Sequence, residues 1–220
     1  AQLQRSAEAG RIYACDVRRN TITPCDWVSP EGYEVILISA GVPQFTEDMS
    51  LGEIDALQSE ALTLLTERRP GVSLRDYQLS DLEEERETLS DAARRAALFA
   101  IGENGRVEAA LGALCDGDLS ELGALLSISH GSLRENLDLS CPEIDWLVKR
   151  GQRVDGVAGM RIHGLAYGGA ALALVQRGAR SGLVEAIEEY GRIFGFTPVL
   201  YTLISDSDTA PNLNVGKVEG

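Results

Sequence analysis

The residues best suited to chemistry lie in one short segment, Gly159-Met160-Arg161-Ile162-His163-Gly164-Leu165-Ala166-Tyr167-Gly168-Gly169-Ala170. Glycine lets a backbone approach a ligand closely and take positive φ. A glycine-spaced loop can therefore turn N–H groups toward phosphate or sugar oxygens. Arg161, His163, Gly164, Gly168 and Gly169 are what the segment offers for that task. Arg161 brings a planar fork suited to phosphate, and one of the many surface carboxylates is an equal alternative partner for it. His163, in a glycine-rich turn, reads as a satisfied turn residue ahead of a catalyst. Leu165 and Ala166 occupy central positions, so the loop is partly filled in.

Other constellations offer less. Ser129-His130-Gly131-Ser132 contains a Ser/His pair, but helix neighbours face different ways, and a nucleophilic triad needs base and nucleophile to converge on one atom. His130 therefore reads as a histidine near a helix end that hydrogen-bonds backbone. Glu143 and Asp145 share a first helical turn, and capping is the favoured role for Glu143 over acid–base work. No glycine-rich strand-to-helix loop with Lys and Ser/Thr is present, so a phosphoryl-transfer cradle is missing. Cys15, Cys25, Cys115 and Cys141 form no C-x-x-C pair and lie far in sequence from His130 and His163, which argues against zinc. No catalytic residue and no metal ligand is assigned.

The elements that must position these residues follow from pattern. Strands are expected at Arg11–Arg18 and Glu34–Ser39, with turn residues from Pro24 to Gly32 between them. Leu51–Glu67 has helical periodicity and stops at Arg69-Pro70-Gly71. Ser80-Asp81-Leu82-Glu83 reads as a capping box. Ser90–Cys115 is a long helical pattern in which Gly102 and Gly105 make a kink or break possible. Asp116-Gly117 is a turn, Asp118 opens a helix toward His130, and Ser140-Cys141-Pro142-Glu143 caps another, with Pro142 in its first turn. The Gly-rich loop and a strand to Val175 follow, then a helix over Ser181–Phe194 and a strand over Thr197–Ile204. The pattern is α+β: helices on one face of a mainly antiparallel sheet, with a split βαβ unit in the C-terminal part. Residues 1–204 are expected to form one domain, and 205–220 a polar tail.

Composition sets the outer bounds. The chain has 220 residues, 44% of them hydrophobic, enough for a real core. A formal net charge of −14 argues against a nucleic-acid partner or an anionic membrane surface, although it says nothing of a single basic cleft. No apolar run is long enough to span a bilayer, and no basic-then-apolar leader opens the sequence. Scattered cysteines fit a reducing cytoplasm. The chain opens at Ala1, as a fragment, a processed chain or a trimmed one would.

Taken together, these blocks resemble the C-terminal half of galactokinase, in the GHMP sugar-kinase superfamily. Ser129-His130-Gly131-Ser132-Leu133-Arg134 followed by Ser140-Cys141-Pro142-Glu143-Ile144-Asp145-Trp146-Leu147-Val148 is similar to the family's "SHxSLR…SCPELDxLV" segment. Gly156–Arg161 then leads into a loop standing where the family carries "GxRMTGGGFGGC". Weaker similarity covers Gly10–Arg18, the strand around Ile36 and Glu103–Val107. The resemblance implies a ferredoxin-like GHMP C-terminal domain with extra helices. It also implies ATP-dependent phosphorylation of a galactose-like sugar at the anomeric hydroxyl, using ATP and Mg²⁺. The partner it implies is an N-terminal kinase half carrying the phosphate loop and most sugar contacts, with a second copy as the other candidate.

Departures from the family pattern fall on the ligand side. The catalytic Asp of the family's "MDQ" segment is either replaced or lies before residue 1, since the chain reads Ala1-Gln2-Leu3. The sugar-contacting Tyr and its adjacent Arg residues have no counterpart near Leu51–Ala56. "RARH" falls at Ala96-Ala97-Leu98-Phe99. His163, Leu165, Ala166 and Ala170 replace Thr, two Gly and Cys in the loop. The expectation is a kept fold with relaxed chemistry, inactive alone, with a pseudo-kinase that senses a sugar or nucleotide or binds a partner as the alternative.

Overall fold

A computed structural model describes residues 11–26, 32–42, 48–164 and 169–204. The chain begins with a hairpin of β1 (Arg11–Asp16) and β2 (Thr21–Asp26). Its other elements are β3 (Tyr33–Ser39), α1 (Asp48–Arg68), a 3₁₀ turn at Leu74–Asp76, α2 (Leu79–Glu84), α3 (Asp91–Asp116), α4 (Leu119–Leu137) and α5 (Pro142–Gly151). After these come β4 (Val157–His163), β5 (Ala170–Gln176), a 3₁₀ turn at Arg177–Ala179, α6 (Arg180–Ile187), α7 (Tyr190–Phe194) and β6 (Val199–Ile204).

Strands β4-β5-β3-β6 lie in that spatial order, and every neighbouring pair is antiparallel. Numbered by sequence, the sheet order is second, third, first, fourth, the ferredoxin-like split βαβ arrangement expected from the element order. Alternation along β3 explains how the sheet takes its helices. Ile36 and Ile38 are fully buried, whereas Val35 and Leu37 on the other face are only partly so. Met160, Ile162, Ala171, Ala173 and Val175 complete the buried face, against Leu133, Leu147, Leu183, Ile187 and Tyr190 of the helices. A second core joins α1 to α3 through Ala61, Leu65, Leu82, Ala93, Ala97 and Ile101.

The helix start read at Asp118 carries a side-chain cap, and Ser90, read as the first residue of a helical pattern, stands as an N-cap. Ser90 Oγ accepts from the Ala93 N–H at 3.1 Å, and Asp118 Oδ1 accepts from the Glu121 N–H at 2.9 Å. Gly117 ends α3 at φ 69°, the left-handed cap that glycine favours.

Five local expectations are corrected. Residues 21–26 form strand β2, with Pro24 opposite Tyr13; proline is tolerated because each strand of a two-stranded hairpin is an edge. The capping carboxylate of α2 is Asp81, which accepts from the Gln78 N–H at 2.7 Å, so Ser80 lies inside the helix. α3 runs unbroken past Gly102 and Gly105, because burial of Ala93, Ala96, Ala97 and Ile101 outweighs about 1 kcal/mol of lost propensity per glycine. The N-cap of α5 is Cys141, and the Ser140 hydroxyl points elsewhere, to Asp145. The segment 181–194 is two helices. Short-range bonds from Glu188 N–H to Glu185 O and from Arg192 N–H to Glu189 O tighten the turn between them.

Candidate functional site

The glycine-rich segment is the turn of the β4–β5 hairpin. His163 and Ala170 form its last strand pair. Gly164 and Gly169, at φ 83° and 86°, bend the chain out of and back into the sheet; both conformations penalise a side chain. A Cβ added at Gly164 would meet nothing within 4 Å, so conformation alone favours glycine there. Residues 165–168, with Leu165, Ala166 and the expected site residue Gly168, lie outside the described residues.

The base of this turn is tied to the end of β3. The Ala40 N–H donates to Gly169 O at 2.7 Å, and the buried Tyr190 hydroxyl donates to Ala40 O at 2.8 Å. Burial pushes the Tyr190 phenol well above its ordinary range, so the group stays a donor.

Arg161 and His163, two residues apart, lie on the same face of β4 with buried Ile162 between them on the other. His163 is exposed at the strand end. The Arg161 guanidinium is engaged: Nε donates to Ile162 O at 3.1 Å, and Nη1 lies 3.3 Å from Glu103 Oε1 of α3. Of the two partners weighed from sequence, a carboxylate is the one it meets here. Glu103 gathers a wider network, accepting from Ser129 Oγ at 2.6 Å and from Arg106 Nε at 2.7 Å. Arg106 Nη2 in turn donates to Ser132 Oγ at 3.1 Å.

Among the described residues β4 is an edge strand, and α4 and polar side chains cover its outer edge. Gly123 of α4 meets Ala158 and Gly159 so closely that a Cβ at position 123 or 159 would overlap the facing backbone. The Gln152 amide donates to Met160 O at 3.3 Å, and the Ile162 N–H donates to His130 Nδ1 at 3.4 Å. His130 is thus bonded to backbone, the role favoured from sequence over a Ser/His pair. Its Nε2 lies 3.4 Å from Asp145 Oδ1, which also accepts from Ser140 Oγ at 2.5 Å. Burial is the main influence on this ring and lowers its pKa below 6.5; Arg134 and Arg161 act the same way and Asp145 opposes them. Sequence reasoning missed Glu103 as a hub, because its contacts cross 26 and 58 residues and leave no local spacing.

Two concavities lie apart from the turn. One of about 1350 Å³ separates the β1–β2 hairpin from α1 and α3, with Leu62, Leu74, Val107 and Leu111 among its lining. The other, about 320 Å³, is bordered by Arg95 and Arg134.

No protein-family model matches the chain. A Lactococcus lactis galactokinase solved with galactose superposes with a TM-score of 0.84 at 24% identity, covering 93% of this chain and 53% of that one. An L. major mevalonate kinase solved with R-mevalonate superposes with a TM-score of 0.57 at 16% identity, covering 90% of this chain and 50% of that one. The fold is therefore that of the GHMP kinases. In sequence, the chain is 32% identical to galactokinase of Thermococcus kodakarensis over 175 residues, 79% of this chain and 47% of that protein. It is 30% identical to galactokinase of Exiguobacterium sibiricum over 200 residues, 89% and 50%, and 39% identical to dog galactokinase over 117 residues, 53% and 30%. The chain is a homologue of galactokinase and spans about half the length, or less, of these relatives.

Proposed function

We propose that residues 1–204 form the C-terminal domain of a galactokinase-like sugar kinase, working in the cytoplasm, in which the β4–β5 turn closes over a galactose-like sugar and its phosphoryl donor. The observation that carries this reading is the turn itself. Gly164 and Gly169 frame it in left-handed conformations, and the Ala40–Gly169 bond seats it at the end of β3. Backbone N–H groups in such a turn suit sugar hydroxyls and phosphate oxygens. Arg161 stands two residues from the end of β4; for it to bind phosphate, its fork would have to be shared with Glu103 or released from it.

ATP and Mg²⁺ enter only through the homology. Among the described residues no group of three or more His, Cys, Asp and Glu side chains could hold a metal ion, and no step is routed through ATP or Mg²⁺. The reaction in this reading needs an N-terminal half that supplies the phosphate loop and catalytic Asp, and the isolated chain has no turnover. The groove of about 1350 Å³ beside β1 supports a docking role for that half, since the hairpin stands away from an apolar helical surface there.

A second reading, a non-catalytic homologue that senses a sugar or binds a partner, is favoured by the Arg161–Glu103 pair, which occupies the cation the loop would otherwise present. Two measurements separate the readings. Mixing the chain with the N-terminal half of a galactokinase should restore galactose-dependent ATP consumption; no turnover with any such half removes the kinase reading. Calorimetry of the chain with galactose and with ATP tests the other, because kinase-like affinity for both counts against it.

A further inference from the structure

The Ser129-His130 and Ser140–Asp145 blocks stand apart from the glycine turn in sequence, yet the fold joins them on one strand. Ile162 lies on the outer edge of β4, two residues before Gly164, and among the described residues its N–H has no strand partner on that side. The acceptor it finds is His130 Nδ1, at 3.4 Å and buried. A ring that accepts at Nδ1 carries its proton on Nε2, and Nε2 faces Asp145 Oδ1 at 3.4 Å. Asp145 is held in turn by the Ser140 hydroxyl at 2.5 Å. The chain of bonds therefore runs from the start of α5 through one imidazole to the strand that delivers the turn.

We infer that His130 is a positioning residue: as the neutral ring oriented by Asp145, it latches the outer edge of β4 and so fixes where Gly164 leaves the sheet. For ligand binding, the inference rests on the sugar-loop reading above; for the geometry of the turn, it does not. Protonation would set a second N–H against that of Ile162 and open the latch. The groups facing the ring come from three elements. Asp145 of α5 favours the charged ring, while Arg134 of α4 and Arg161 of β4 oppose it. Glu103 of α3 bonds Arg161, and the Ser140 hydroxyl completes the Asp145 contact. Burial adds to the opposition.

The test is a pH titration of the whole chain by ¹⁵N NMR, following His130 together with the amides of Ile162, Gly164 and Gly169. The expected result is a His130 midpoint below 6.5 that the Ile162 and Gly164 amides share. His130→Ala should speed exchange at the Ile162 amide about tenfold, the loss of one hydrogen bond. His130→Asn, which keeps an acceptor near the Nδ1 position, should restore protection and remove the pH dependence. If His130→Ala does not fold, the wild-type titration decides alone. Amides of Ile162 and Gly164 that ignore the His130 midpoint overturn the inference. A galactose titration at pH 8 and pH 5.5, with the N-terminal half of a galactokinase present, separates the two claims. Amides that follow His130 without galactose binding leave the latch standing and remove the sugar reading. Galactose binding with amides that ignore His130 does the reverse.

Discussion

At Gly159, a single hydrogen atom is all the space between β4 and α4 allows. A methyl group there would run into the Gly123 carbonyl, and one at Gly123 into the Ala158 backbone. Backbone on both sides leaves no flexible atom to yield, so Gly159→Ala and Gly123→Ala should each destabilise by about 1–3 kcal/mol or more, read as a lower midpoint in urea. His130 gives a pH effect of defined sign. Its folded pKa is lowered from 6.5, so the unfolded chain takes the proton first as pH falls. The contribution is fully present above about 6.5 and is lost as pH drops through the lowered native value. Chemical denaturation at pH 8 and pH 5 should show this loss in the wild type and not in His130→Asn. Buried Glu34 is a third sensitive point. Arg180 Nη1 bonds its Oε2 at 2.9 Å and Thr202 Oγ1 at 2.7 Å, while among the described residues Oε1 has no partner. Arg180→Ala strands that carboxylate and should cost about 1–3 kcal/mol, a range kept modest because the arginine side chain is 39% exposed.

Among the elements, the β1–β2 hairpin is tied to its neighbour by charge. Arg75 pairs with Asp16 at 3.0 Å and Arg18 pairs with Asp76, joining the hairpin tip to the 3₁₀ turn. Bonds from the Val72 N–H, from Arg18 and from the Ser73 N–H hold the Asp76 carboxyl down to about 2. Because that value is depressed from 3.8, the anchoring is complete above the ordinary carboxylate range and fades as pH falls toward 2. Asp76→Asn should speed amide exchange in residues 11–26 at neutral pH and leave Ile36 and Ile38 unchanged. Equal exchange in the hairpin of both proteins would show that the ion pairs do not anchor it. The hairpin also marks how far the sequence could be read. The turn at Asp116-Gly117 and the helix start at Asp118 were legible because both signals act within four residues. β2 was not, because Thr21, Thr23 and Pro24 carry turn chemistry and no apolar alternation. The Ser140 hydroxyl was misassigned to backbone capping because it bonds the Asp145 side chain of the same helix, which also faces His130, ten residues before Ser140 and on α4.

For the whole molecule, element order was enough to give the class, since strands, helices, and then strand–helix–strand close into few antiparallel arrangements. Gly164 and Gly169 were legible as turn residues, and their place at the end of β3 follows from the register of β3 with β5. Which side chains surround them was not legible, because Glu103 reaches Arg161 across 58 residues. The charge of −14 acts at this scale too. Self-repulsion opposes compaction, so moderate salt should raise the melting temperature by screening it, even as it loosens the hairpin pairs. A melting temperature that falls steadily with sodium chloride would mean that the local pairs outweigh the repulsion.

The Tyr190–Ala40–Gly169 bonds carry one more consequence, for the order of folding. Tyr190 and Ala40 are 150 residues apart in the chain, and β3 waits for β5 to pair from Tyr33 with Gln176 through Ser39 with Ala170. Contacts of such long sequence separation are closed late and slow a fold down. On the ribosome, the turn would lack its seat until α7 has emerged. Tyr190→Phe should therefore leave the early rise of helical signal in refolding unchanged, and speed unfolding more than it slows folding.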